Sequence, residues 1–241
     1  MAHLLAFRMK TQDAMCSMIS KVTSFYEWFD WDLQKEYEKR RRTKDYFDEE
    51  DLWKIMISLF QALGYLSEQG LFHEDIRPAT INVSKAGEYL IYDTTIMKQD
   101  DYRTQFVLIK MSLDSVKNSC YLAPEVFNQV RTDKEDHVIY DRAKADVWSA
   151  GMMLLQLATL DSVDTVYLYD RKPTLNYDLL SEKLQLVSKR YSNKFFEILN
   201  VILTKLAKDR PNSIKLATVL QEGDKLLEYL ETHELPTPEP T

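Results

Sequence analysis

Residues 71–95 read LFHEDIRPATINVSKAGEYLIYDTT, and the fold turns on how this stretch is read. The apolar pair Leu71-Phe72 leads into His73-Glu74-Asp75 and then Ile76-Arg77-Pro78. Two short apolar runs follow, the second from Tyr89 to Tyr92, on either side of Lys85-Ala86-Gly87. Short strands about a glycine-bearing turn predict a β-hairpin with a connection longer than two residues. Asp75 then precedes the hairpin and Asp93 follows it. Two carboxylates presented from the ends of one hairpin can hold a divalent cation or a reacting hydroxyl between them.

The stretch resembles the catalytic loop and metal-binding motif of the protein kinases, H-R-D-L-x-x-x-N followed by D-F-G beyond a hairpin. His73 and Asp75 match that pattern. Glu74 replaces its Arg, and Thr80 stands where the metal-binding Asn is expected. Asp93 matches the Asp of D-F-G, with Thr94 and Thr95 in place of Phe and Gly. Further motifs follow in the family's order. Tyr121-Leu122-Ala123-Pro124-Glu125 is similar to A-P-E with its preceding Tyr. Lys117 and Asn118 occupy the positions where Gly-Thr is usual. Asp146, Trp148 and Gly151 match a D-x-W-x-x-G helix, and Asp209-Arg210-Pro211 closes the series. The resemblance covers roughly residues 25 to 232. It implies that Asp146 binds the catalytic-loop backbone, that Arg210 pairs with Glu125 in a buried ion pair, and that His73 has a structural role.

The elements around these motifs follow from periodicity. Leu52, Ile55, Met56, Leu59, Leu63 and Leu66 predict a helix from an Asp48 N-cap to about Ser67, ended by Gly70. Residues 34–46 read as an exposed helix, with Glu36 to Arg40 and Glu38 to Arg42 at i,i+4. Its basic run, Lys39, Arg40, Arg41 and Arg42, suits a solvated helix end; the sharper reading is a docking patch for an acidic partner. Ala143 to Leu160 reads as a buried helix, and Tyr177–Tyr191, Lys194–Lys208 and Ser213–Glu231 as three more. Residues 94–118 have the size of an activation segment and carry the hydroxyls of Thr94, Thr95, Thr104, Ser112 and Ser115. Asn128 to Tyr140 reads as a charged surface insertion. Residues 1–24 fit either one helix or a pair of strands.

Phe25 to Leu33 is dense in aromatics. One reading is plain core packing. The family resemblance places the interlobe hinge here. About 24 residues precede it; they contain no glycine and two lysines, Lys10 and Lys21. The expectation is therefore a mainly α, protein-kinase-like C-lobe helical bundle with short β-hairpins, the small lobe absent or vestigial. Residues 1–33 would be a vestigial N-terminal segment and hinge, 34–232 the C-lobe, and 233–241 a Pro-rich tail that does not pack.

Composition narrows the function classes. The 241 residues carry a net charge of −7, which argues against a general nucleic-acid binder. No apolar run approaches the roughly 18 residues that span a bilayer. Cys16 and Cys120 fit no metal or redox spacing, so a reducing, cytoplasmic setting is expected, with a mitochondrial presequence the weaker alternative.

Three functional readings follow from the resemblance. The leading one is a pseudokinase acting as a scaffold within a larger assembly, with no cofactor and with Asp75, Arg77 and Asp93 vestigial or structural. A partner protein would cover the hinge face at Phe25, Trp28, Phe29 and Trp31, since exposed apolar patches mark contact sites. The second is a divergent active kinase using Mg-ATP: Asp75 accepts the substrate proton, Arg77 stabilises the phosphoryl group, and Asp93 holds Mg²⁺. The third is a phosphopeptide reader with Arg77, Lys110 and Lys117 lining its groove.

Overall fold

The computed structural model describes residues 4–12, 18–26, 29–91, 121–130, 140–168 and 174–232. It opens with two antiparallel strands, β1 (Leu4–Gln12) and β2 (Met18–Tyr26), so of the two readings of residues 1–24 the strand pair holds. A two-residue strand, β3 (Trp31–Asp32), runs straight into helix α1 (Leu33–Thr43). Asp32 caps that helix by accepting from the Lys35 N–H at 2.8 Å, which satisfies one of the donors a helix start leaves open.

Helix α2 (Glu49–Glu68) buries Leu52, Ile55, Met56, Leu59, Phe60, Leu63 and Leu66 along one side. Asp48 stands at its N-cap position, yet its side chain makes no capping hydrogen bond. The dipole is met instead by Glu49, Glu50 and Asp51 in the first turn. At the other end Gly70 adopts φ +69°. That left-handed residue lets Gly70 N–H reach Ser67 O and Leu71 N–H reach Leu66 O, at 3.0 and 2.8 Å. The paired bonds form a Schellman cap and turn the chain toward His73.

Strands β4 (Ile81–Val83) and β5 (Tyr89–Ile91) make the expected hairpin. It is the centre and edge of a three-stranded sheet, because Trp31 and Asp32 pair with Val83 and Asn82 on the other side of β4. Beyond it come α3 (Pro124–Val130) and α4 (Arg142–Thr159). Two minor strands, β6 (Tyr167–Leu168) and β7 (Thr174–Leu175), precede α5 (Tyr177–Arg190) and α6 (Asn193–Ile202). The described residues end with α7 (Ser213–Gln221) and α8 (Gly223–Thr232).

Helix α4 is the axis of the core. Val147, Trp148, Ala150, Met152, Met153, Leu154, Leu155 and Leu157 are all fully buried. Gly151 is there because of close approach: a Cβ would stand 2.6 Å from Ile202 and 2.8 Å from Leu203, well inside van der Waals contact. Helices α5 and α6 pack on this axis, and α7 lies on α2, where the Ser67 and Ser213 hydroxyls meet at 2.7 Å.

Two helix lengths differ from the periodicity. The expected Lys194–Lys208 helix stops at Ile202, because the carbonyls of Thr204 and Lys205 turn to accept from Arg210. The expected Ser213–Glu231 helix is two, broken at Glu222 in extended backbone just ahead of Gly223, a poor helix former.

The start of α6 is tied to the start of α2. Glu49 accepts from Ser192 N–H and Oγ and from Trp53 Nε1, at 2.7, 2.5 and 3.0 Å. Partial burial opposes its ionisation, but these donors prevail and hold its carboxyl below the usual glutamate range. A depressed folded pKa contributes stability above the unfolded pKa and loses it as pH falls through the folded value. Glu49→Gln should therefore destabilise the protein at neutral pH, and the difference from wild type should shrink on acidification below about pH 4.5. Denaturant titrations at neutral and acid pH check this; a difference independent of pH would contradict it.

Candidate functional site

The site is built where α2 delivers the chain to His73 and α4 rises beneath it. Asp146, 3% exposed, accepts from the backbone N–H groups of His73 and Glu74, one on each carboxylate oxygen, both at 2.7 Å. Burial pushes the Asp146 carboxyl above its ordinary range, against the pull of the two N–H donors. His73, 1% exposed, accepts from Asp75 N–H through Nδ1 at 3.3 Å. The loop is thus hung from the core helix by one buried carboxylate.

Glu74 holds φ at 60°, a left-handed conformation that costs a non-glycine residue roughly 1–2 kcal/mol. Its carboxylate is gripped by Arg142 through Nε and Nη2, at 2.7 and 2.9 Å, and by the Tyr140 hydroxyl at 2.9 Å. Arg142 also lies over the Phe72 ring, 4.8 Å from its centroid. Burial and the Glu74 charge raise the Tyr140 hydroxyl far above its ordinary pKa, so it stays a donor. Where the kinase pattern has a cation, this loop has an anion already satisfied by an arginine from the start of α4. Nothing in the local sequence signals that partnership, since Arg142 is distant along the chain.

Asp75 carries an ion pair within the loop. Arg77 donates to it through Nε at 2.8 Å and Nη2 at 3.3 Å. Roughly a third of each side chain remains exposed. Thr80 sits one turn further on, 2% exposed. Its Oγ1 accepts from Arg77 N–H at 3.2 Å and lies 2.8 Å from Asp75 O and 2.9 Å from Arg77 O, to which its single proton can be donated. The hydroxyl closes the short 3₁₀ turn Pro78–Thr80 on itself.

A family metal would need an oxygen at position 80 facing the nucleotide side. An Asn presents a carbonyl oxygen there; the Thr80 hydroxyl is shorter, buried and already committed to loop backbone. Among the described residues, this half of the metal site does not fit a divalent ion, which favours several unencumbered oxygens. Asp93, Thr94 and Thr95 lie outside the described residues, as do Lys110 and Lys117.

Arg210 and Glu125 are brought together below the loop. Arg210 is 1% exposed and donates to both Glu125 oxygens, at 2.8 and 3.1 Å. The same guanidinium bonds the carbonyls of Thr204, Lys144 and Lys205 and lies 5.0 Å from the centre of the Trp148 ring. One side chain therefore links α3, α4 and the segment after α6.

The hinge face is partly in view. Phe25 is 51% and Trp31 40% exposed, and Phe29 is half-buried; Trp28 lies outside the described residues. Trp31 is held in place by its indole N–H, which donates to Glu36 at 3.0 Å. The basic run on α1 is less uniform than its sequence. Arg40 folds inward onto Glu36 at 2.7 Å and over the Phe47 ring, leaving Lys39, Arg41 and Arg42 exposed. Arg42 reaches the backbone carbonyl of Glu38 and not its carboxylate.

The family model for the protein kinase domain matches residues 14–222. The chain is 26% identical over 204 residues to the serine/threonine-protein kinase Nek10 of Mus musculus, covering 83% of this chain and 16% of that protein. It is 31% identical over 121 residues to the human dual specificity mitogen-activated protein kinase kinase 7, covering 50% of this chain and 26% of that protein. It is 28% identical over 171 residues to the serine/threonine-protein kinase Tao of Drosophila melanogaster, covering 70% of this chain and 15% of that protein. The chain thus spans well under a third of the length of these relatives.

Proposed function

The chain belongs to the protein kinase family, and we propose that it serves there as a binding and scaffolding component, a pseudokinase, and not as a phosphoryl-transfer enzyme. The observation that carries this reading is the catalytic loop satisfying itself. Thr80, at the metal position, is buried and bonded back to the loop. Glu74 replaces the loop arginine and is neutralised internally by Arg142. Phosphoryl transfer depends on positioning and on cations that stabilise transferring charge. A loop whose side chain at the metal position is bonded back to its own backbone, and whose arginine is replaced by an acid, retains the frame without that metal ligand and without that cation. The Thr94-Thr95 pair after Asp93 points the same way. On this reading the aromatic face around Phe25 and Trp31 is a contact surface within an assembly.

A second reading keeps the chain an enzyme, and one observation favours it. Asp75 and Arg77 hold the family's catalytic positions, remain partly exposed, and sit on an intact loop suspended from Asp146. Asp75 would take the substrate hydroxyl's proton, and Arg77 would steady the phosphoryl group. Labelled-phosphate transfer from Mg-ATP to a mixed peptide library separates the two. The proposal expects no incorporation above a heat-denatured control. Incorporation that Asp75→Asn abolishes would establish the second reading in its place.

A further inference from the structure

A cleft of about 480 Å³ opens at the far end of α4, lined by Tyr46, Ala158, Thr159, Leu186, Lys189 and Arg190. It is separate from the catalytic loop. Asp146, which holds that loop, and Ala158 are both on α4, twelve residues apart or about 18 Å along the axis at 1.5 Å per residue. The lining is of two kinds. Leu186, 50% exposed, and the Tyr46 ring offer apolar surface over the buried Ala158. Lys189 and Arg190 bring two cations at the last turn of α5.

The Arg190 guanidinium lies over the Tyr46 ring, 3.4 Å from its centroid. Stacking fixes the guanidinium plane and leaves its N–H edge for a planar anion, the arrangement that suits a carboxylate. Of the two acids near this end of α5, Glu49 is taken by Ser192 and Trp53, and Asp48 stands exposed at the start of α2. Tyr46 in turn joins the cleft to the basic end of α1, since its carbonyl accepts from Arg40 at 3.2 Å. That helix end carries exposed Lys39, Arg41 and Arg42 and stops at Lys44. The cations of the cleft itself are Lys189 and Arg190; toward α1 the exposed Asp45, 3.7 Å from Arg40, interrupts the positive surface, on a chain whose net charge is −7.

We infer that this cleft docks an acidic segment of a partner protein, with an aliphatic side chain between Leu186 and Tyr46 and flanking carboxylates on Lys189 and Arg190. The inference deepens the scaffolding reading and rests on it for the partner being a protein. Charge complementarity selects the occupant. A short acidic peptide meets only the local cations, whereas an extended nucleic acid would also meet the negative remainder of the surface. The volume lies within the roughly 300–1,000 Å³ of ordinary ligand pockets.

The test is fluorescence anisotropy with a labelled peptide of alternating Glu and Leu, beside the same peptide with Gln for Glu and one with phosphoserine for Glu. The Glu peptide should bind, weaken as salt is raised to about 0.3 M, and bind roughly tenfold more tightly than the Gln peptide. Lys189→Glu with Arg190→Glu should weaken it by roughly tenfold or more without moving the thermal midpoint. Leu186→Ser should weaken it too, and serves if the charge reversal unfolds the chain. Equal binding by wild type and variants, no preference for Glu over Gln, or binding of the phosphoserine peptide alone would overturn the inference. The catalytic loop shares no residue with the cleft, so failure here leaves the phosphate-transfer result standing as the separate test of the pseudokinase reading.

Discussion

Replacing Arg210 by alanine should destabilise the protein by about 3–5 kcal/mol, the cost of stranding the partner of a buried ion pair. For a chain of this size, that corresponds to a fall in thermal midpoint of roughly 10 °C. The magnitude follows from what the side chain holds. Arg210 is 1% exposed and serves two carboxylate oxygens of Glu125 together with three backbone carbonyls. Deleting it leaves Glu125 without its cation and turns the Thr204 and Lys205 carbonyls loose where α6 would otherwise continue. Glu125→Gln should cost less. Its side chain is 19% exposed, and the guanidinium keeps its carbonyl partners. The double variant Arg210→Met with Glu125→Leu should recover part of the loss, because removing both charges strands neither. Denaturant titration of the three variants reads the order. A loss under about 1 kcal/mol for Arg210→Ala, the range of an exposed pair, would show that the pair is not buried in solution.

Asp146→Asn should cost about 2–3 kcal/mol, although it removes only a charge and no volume. Both Asp146 oxygens accept backbone N–H groups. The amide keeps one acceptor and turns an N–H₂ toward the other donor, leaving a buried N–H unsatisfied. The effect is local before it is global. Amide hydrogen exchange at His73 and Glu74 should speed up by roughly 30- to 100-fold, each tenfold being about 1.4 kcal/mol, while amides within α2 stay protected. Exchange at those two amides unchanged from wild type would mean that the loop is held by something other than α4.

The parts of this architecture written in local sequence were legible in it. The α2 stripe and its Gly70 stop are short-range signals, because a helix face and a left-handed cap each repeat within a few residues. The same holds for the β4–β5 hairpin and for α4, whose apolar run leaves no exposed side to assign. What escaped reading is long-range. Trp31 pairing with Val83 adds a third strand to the hairpin, and no two-residue strand has a pattern of its own. The length of α6 is decided by Arg210 from outside the helix. At the site, the loss of the loop arginine was visible at Glu74, but its replacement partner was not, because Arg142 meets it only in the folded chain. Thr80 could be seen to depart from the family pattern; that its hydroxyl is consumed by the loop is a matter of geometry. Arg40 looked like one member of a basic patch, and the neighbouring Glu36 and Phe47 draw it out of that role.

On the proposed reading the catalytic frame persists here without its nucleotide and metal chemistry. Calorimetric titration of the purified chain with Mg-ATP tests it most directly. The expected result is no binding heat at nucleotide levels up to several millimolar, equivalent to a binding free energy weaker than about −4 kcal/mol, and no difference between wild type and Asp93→Asn. Saturable binding at micromolar nucleotide that Asp93→Asn abolishes would contradict it, and would return Asp75 and Asp93 to service.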